Sequence, residues 1–136
     1  MISLKEAIKF HGHLGPYLVL GLLAGWQGVR SLGCKRHFGL EVKVWGADKK
    51  PKSCLIDGLQ LSTGATFGKG NIKKIKAPAI KILIRDCVNN KQIVLRLKRQ
   101  LICRLSRANT HILAERLAKE IYGSDNITKL FILKRE

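Results

Sequence analysis

The stretch Ile80-Lys81-Ile82-Leu83-Ile84-Arg85-Asp86-Cys87-Val88-Asn89-Asn90-Lys91-Gln92-Ile93-Val94-Leu95-Arg96-Leu97 decides the fold class. Two apolar-rich runs, Ile80 to Arg85 and Gln92 to Leu97, flank the pair Asn89-Asn90. Asparagine tolerates the left-handed backbone of a tight turn, so the stretch reads as a β-hairpin. Just upstream, Ile72 to Lys76 is a further β-like segment, and Leu130 to Leu133 is a short last one. Residues 40 to 45 alternate, with Leu40, Val42 and Val44 to one side and Glu41, Lys43 and Trp45 to the other. That is the pattern of a half-buried strand. Five strands are therefore expected.

Helical signals lie between and around them. Ser3 followed by Glu6 is a capping-box pattern, so residues 4 to 10 should form a short first helix that stops at His11-Gly12-His13. Pro16 suits the first turn of a second helix, which should run to about Leu32 and end at Gly33. Gly21, Gly25 and Gly28 recur near one face of it and predict close packing against a neighbour, with a homodimer seam as one use of that face. Ser53 is placed to cap a third helix over Cys54 to Ser62, ending at Thr63-Gly64. Leu97, Leu101, Leu105, Ala108 and Ile112 recur at helical spacing and predict a basic helix through to Tyr122, closed by Gly123. Helices and strands intermix without repeat, linker or low-complexity tract, which argues for one α+β or α/β sheet domain over residues 1–136.

A hydrophobic content of 46% supports a packed core. The longest apolar run, Leu18 to Val29, is interrupted by Gly21, Gly25, Gln27 and Gly28 and is too short to span a membrane. The N-terminus reads as a helix start rather than a signal peptide, since Lys5, Glu6 and Lys9 fall where an apolar segment should be. A soluble cytoplasmic protein is expected. Its four cysteines, Cys34, Cys54, Cys87 and Cys103, match no CxxC spacing and should be reduced, with Cys87 and Cys103 in the core. The charge balance is extreme, with 26 basic against 9 acidic residues and a net +17. Cys87 to Ala114 contains no acid while Lys91, Arg96, Lys98, Arg99, Arg104 and Arg107 are basic. Non-specific binding of polyanions, RNA or an acidic protein partner follows from such a field, although no motif names a specific nucleic-acid module.

Chemistry concentrates in two segments. In Phe10-His11-Gly12-His13-Leu14-Gly15-Pro16, two imidazoles flank a glycine directly before a helix, and imidazole is a frequent ligand of transition metals. In the second segment Cys54 opens a helix, where the macrodipole favours thiolate, and Asp57 and Gln60 can share its face. A thiolate with two imidazoles suits zinc or a similar divalent ion, and three protein ligands leave one position open. Alone, each feature has a plainer reading: a histidine capping a helix, a small buried thiol, a carboxylate settling a first turn. The run from Gly64 to Asn71 has backbone N–H groups and Lys69 with which to cradle a phosphate, but it departs from the Walker pattern.

Together, FHGHLGPYLVLG and CLIDGLQLSTGATFGKGN resemble the two signature blocks of the formylmethanofuran dehydrogenase FmdE family, and Lys129-Leu130-Phe131-Ile132 resembles the end of its core domain. The resemblance implies a thioredoxin-like α+β core with a mixed five-stranded sheet flanked by helices. It implies a zinc site at His11, His13 and Cys54, with Cys54, Asp57 and Gln60 as candidate catalytic residues and Thr63, Gly64 and Lys69 shaping a cofactor pocket. The family takes its name from genes near those of the tungsten or molybdenum enzyme that fixes carbon dioxide onto methanofuran in methanogenesis. An activity of the chain's own and an accessory role beside the formylmethanofuran dehydrogenase proteins both stay open. Members often carry cysteine where this chain has Gly15 and Ala65, which removes two soft ligands and leaves at most a His/Cys site. The matched residues correspond to the core domain, without the C-terminal treble-clef zinc finger that many members carry.

Overall fold

Alternation builds the sheet first. In the computed structural model, which describes residues 2–124 and 126–136, the strands are β1 (Leu40–Trp45), β2 (Ile72–Ile75), β3 (Lys81–Asp86), β4 (Gln92–Leu97) and β5 (Phe131–Arg135). They form one sheet in the order β2-β1-β3-β4-β5. The β1–β2 pair is parallel and the other three pairs are antiparallel, so the sheet is mixed as expected. The β3–β4 hairpin turns through Asn90, which holds φ at 60°, a conformation that asparagine tolerates better than most residues. Pairing Val42 with Ile84, and Ile84 with Ile93, puts a continuous apolar row on one face, and all three residues are buried. The other face carries Lys43, Lys81, Arg85 and Arg96 around Trp45 and Leu83, and none of these six is fully buried.

Helices cover the apolar face. They are α1 (Leu4–His11), α2 (Pro16–Leu32), α3 (Cys54–Thr63), α4 (Arg99–Arg107) and α5 (His111–Tyr122). The capping box forms, with the Ser3 hydroxyl accepting from the Glu6 N–H. The glycine face of α2 is filled from within the chain. A Cβ at Gly21 would lie 2.1 Å from the Leu55 carbonyl oxygen, and one at Gly58 would lie 2.2 Å from that of Leu18, so α2 and α3 touch backbone to backbone. The Ser62 hydroxyl fills the notch at Gly25 and donates to the Gly58 carbonyl at 2.8 Å, and Ile84 of the sheet occupies the space beside Gly28. The expectation of a homodimer seam on these glycines is thereby corrected, because α3 and β3 consume the whole face.

Three further expectations change. The basic helix is two helices, because Thr110 leaves helical geometry at ψ 159° and its hydroxyl accepts from the Leu113 N–H, starting α5 afresh. Helix α4 buries only Leu101 and Leu105 and presents its arginines to solvent. Cys87 and Cys103 are exposed rather than in the core: Cys87 follows the last residue of β3 at the hairpin turn, and Cys103 lies on the outer face of α4. Among the described residues no helix is long and apolar enough to cross a membrane.

Candidate functional site

Gly12 directs the chain into the site. It terminates α1 at φ 107°, a left-handed conformation that glycine adopts without strain, and its N–H closes on the Ile8 carbonyl. This leaves His11 on the last turn of α1, with its side chain only 9% exposed, and His13 in the following loop. His11 Nδ1 donates to Asp57 Oδ2 at 2.6 Å, joining α1 to the first turn of α3. With Nδ1 carrying the proton, the lone pair sits on Nε2. That atom is buried and has no hydrogen-bond partner. A buried polar atom left in this state costs about 1–3 kcal/mol, so its orphaned lone pair points to a bound species.

His13 stacks near His11, with ring centroids 4.8 Å apart at a tilt of 37°. On its other side lies His111 at the start of α5, 6.4 Å away centroid to centroid. Burial, then the positive charges that His11, His111 and Lys50 would bring, hold the His13 imidazole below its ordinary value and keep it neutral and able to ligate. Cys54 lines the same cavity of about 400 Å³ as His13 and His111, along with Gly15, Tyr17 and Lys52. Burial and the neighbouring Asp57 push the Cys54 thiol up.

That direction opposes the thiolate expected from the helix dipole, and the local backbone explains why. The N–H groups of Cys54, Leu55 and Ile56 already donate to the carbonyls of Pro51, Lys52 and Ser53, in a turn that runs straight into α3. Ser53 itself is helical at φ −64° and ψ −18° and makes no side-chain cap. No free amide is left there to stabilise a sulfur anion, so a metal ion would have to displace the thiol proton.

The structure separates the remaining expected residues from this cavity. Gln60 accepts the Phe67 N–H through Oε1 at 3.1 Å and braces the following loop. Thr63 donates to the Leu59 carbonyl and accepts from the Ala65 N–H, closing the end of α3. Gly64 caps that helix at φ 76°, where an added Cβ would strike the His37 ring at 2.3 Å. Lys69 lies over the Phe38 ring, 5.6 Å from its centroid. The glycine-rich loop makes no phosphate cradle, since the N–H groups of Thr66, Phe67, Lys69 and Gly70 all donate within the protein. Of the two positions where cysteine is common in the resembling family, Gly15 is at the site, its missing Cβ facing His13 Nε2 at 3.3 Å, whereas Ala65 is a fully buried core residue.

His111, Tyr17 and Lys52 carry no local sequence signal that would single them out. His111 lies about a hundred residues from His13 along the chain, and only the docking of α5 beside α2 brings them together. Among the described residues, no group of three or more His, Cys, Asp or Glu side chains is gathered as a metal site. His11 with Asp57, His13 and Cys54 are thus neighbours around one cavity rather than an assembled ligand set.

Comparison with known proteins places this arrangement. The family described as "FmdE, Molybdenum formylmethanofuran dehydrogenase operon" matches residues 10–130, which takes in His11, His13, Cys54 and Asp57. A probable S-adenosyl-L-methionine-binding protein of Archaeoglobus fulgidus is 32% identical over 73 residues, covering 51% of this chain and 19% of that relative. The chain thus spans about a fifth of the curated relative it matches. The crystal structure of an FmdE-like protein of tungsten formylmethanofuran dehydrogenase from Syntrophus aciditrophicus superposes with a TM-score of 0.66 at 21% identity. The match covers 97% of this chain and 68% of that one and shows a shared fold. The family match over most of the sequence, on the fold seen in that crystal structure, carries the conclusion that this chain belongs to the FmdE family.

Proposed function

We propose that this FmdE-family protein binds a divalent transition metal, zinc first, through His11, His13 and Cys54, and serves formylmethanofuran dehydrogenase-related one-carbon metabolism in the cytoplasm. One observation carries the metal reading: His11 Nε2 is buried and unpartnered while Nδ1 is fixed by Asp57. A carboxylate holding the far nitrogen of a ligating imidazole is the usual outer support of a metal-bound histidine, setting both tautomer and ring direction. His13 is exposed, so turning its ring toward a shared ion costs little, and Cys54 faces the same cavity. The donor set of two imidazoles and one thiol suits zinc. When bound, zinc with an open position would supply Lewis-acid chemistry to a ligand in the cavity. The protein's own contribution is orientation by Asp57, neutrality of His13, and an apolar wall from Leu14, Pro16 and Leu105 that limits water.

Elemental analysis of untagged protein tests the proposal. Close to one zinc per chain is expected, lost in His11→Ala and Cys54→Ser, with affinity weakened about 10–100-fold in Asp57→Asn. Metal content unchanged in Cys54→Ser would remove that residue from the site. A protein that neither holds nor takes up zinc would end the metal reading.

A second reading, a basic module binding RNA or an acidic protein partner, is supported by the open sheet face. There Lys43, Lys81 and Arg96 have no carboxylate partner among the described residues, and only Arg85 is paired, with Glu41 at 2.7 Å. If six to eight phosphates are contacted, duplex affinity should fall with log salt at a slope of about −5 to −7. A salt titration against unrelated RNA and DNA duplexes distinguishes this charge effect from selective recognition.

A further inference from the structure

The cavity beside His13 continues into a second lobe of about 420 Å³ that reaches the edge of the sheet. Tyr17, Lys52, Ile102 and Leu105 line both lobes, so the two meet beneath α4. Each lobe is of a size that accommodates a small organic ligand, typically about 300–1,000 Å³. Their walls differ. The first brings titratable and ligating groups, His13, His111 and Cys54, whereas the second brings an aromatic wall, Trp45 with Pro78, and cations.

The cations identify the ligand class. Lys52, Lys81 and Arg96 line the second lobe, and none is ion-paired among the described residues. No Asp or Glu lines either lobe. The Lys81 ammonium sits 4.6 Å from the centroid of the Trp45 ring, within the range of a cation–π contact, so positive charge and an aromatic face are presented side by side. Burial keeps the Tyr17 phenol protonated, a hydrogen-bond donor at the junction of the lobes. An acid-free pocket with one aromatic wall and several cations is complementary to a flat π-system that bears an anion.

We propose that this second lobe binds a planar aromatic anion of about mononucleotide size, its ring against Trp45 and its anionic group among Lys52, Lys81 and Arg96. The rest of the ligand extends past Tyr17 toward His13 and Cys54. The same charge pattern selects against a sulfonium such as S-adenosyl-L-methionine, the ligand for which the Archaeoglobus relative is named. The proposal goes beyond the metal reading and stands independently of it, since Trp45, Lys81 and Arg96 are not among the candidate metal ligands.

The test is a titration of 15N-labelled full chain with adenosine monophosphate at physiological ionic strength, with a chelator present so that zinc plays no part. The protein has two tryptophans, and Trp26 lines neither lobe, so its indole N–H signal is an internal control. The Trp45 signal should move saturably while that of Trp26 stays in place. Adenosine, inorganic phosphate and S-adenosyl-L-methionine should each bind at least tenfold more weakly than the nucleotide. Trp45→Ala and Arg96→Gln should each weaken the nucleotide at least tenfold, and the exposed Arg96 position keeps the test open if the tryptophan variant folds poorly. A stationary Trp45 signal, equal affinity for inorganic phosphate, or tighter binding of the sulfonium would overturn the proposal. So would affinity that climbs with oligonucleotide length, which would make this a strand-binding surface instead of a pocket.

Discussion

Replacing Gly21 by alanine tests the packing that holds the site together. The new Cβ would lie 2.1 Å from the Leu55 carbonyl oxygen and 2.9 Å from both Gly58 Cα and Leu59 N. All three atoms belong to backbone, so no rotamer change relieves the overlap and α3 must move away from α2. Alanine is favoured over glycine in a helix interior by about 1 kcal/mol. Overpacking costs about 1–3 kcal/mol, and a rigid backbone neighbour places this case at or above the top of that range. The net is a loss of about 2 kcal/mol. For a chain of 136 residues, each kcal/mol corresponds to roughly 3–5 °C in melting temperature, so Tm should fall by about 6–10 °C. Gly68→Ala is the matched control, since its Cβ would meet nothing nearer than 3.8 Å, and its Tm should change by less than about 2 °C. The displaced Leu55 adjoins Cys54 and lies on the same turn as Asp57, so Gly21→Ala should also loosen the His11–Asp57 contact and weaken zinc binding. Thermal denaturation followed by circular dichroism reads the first effect. A Gly21→Ala protein melting at or above the wild type would refute the backbone contact between α2 and α3.

Other consequences can be checked more quickly. With a thiol-reactive dye at mildly alkaline pH, the exposed Cys87 and Cys103 should react first, and Cys34 and Cys54, whose thiols burial pushes up, should lag, as peptide mapping would show. Gly15→Cys sets a thiol beside His13 Nε2 and should tighten zinc binding in a chelator competition, whereas unchanged affinity would place the ion away from His13. Asp86 accepts from the Val88 N–H and the Asn89 side chain, which hold its carboxyl below the ordinary 3.8. Its stabilising effect is therefore complete above that value and is lost as pH falls through the lower folded value. Asp86→Asn should flatten the acid limb of a stability–pH curve, and parallel curves for the two proteins would contradict the assignment.

Local patterns are legible in the chain, and long-range ones are not. The β3–β4 hairpin follows from alternation around Asn89-Asn90, and α1 from the Ser3–Glu6 box, because each is specified by neighbours in the chain. The glycines of α2 announce a close approach, but nothing local says that Leu55 and Gly58 of α3 make it. The helical spacing from Leu97 to Ile112 hides the break at Thr110, where a side-chain cap outweighs an unbroken apolar periodicity. Cys87 has the apolar neighbours of a core residue, although it sits at the turn that follows β3. At the site, His11, His13, Cys54 and Asp57 are legible as motif residues, while Gln60, Thr63, Gly64 and Lys69 brace the α3 exit and its loop. His111 and the lobe at Trp45 depend on how α4 and α5 close over the sheet edge, which no local spacing encodes.

The central claim is that His11, His13 and Cys54 share one zinc ion. X-ray absorption at the zinc edge, on protein loaded with one equivalent, addresses it most directly. The predicted nearest shell has two nitrogen donors at about 2.0–2.1 Å and one sulfur at about 2.3 Å, the sulfur vanishing in Cys54→Ser and one nitrogen in His11→Ala. A shell of nitrogen and oxygen alone, or one unaltered by either substitution, would contradict it.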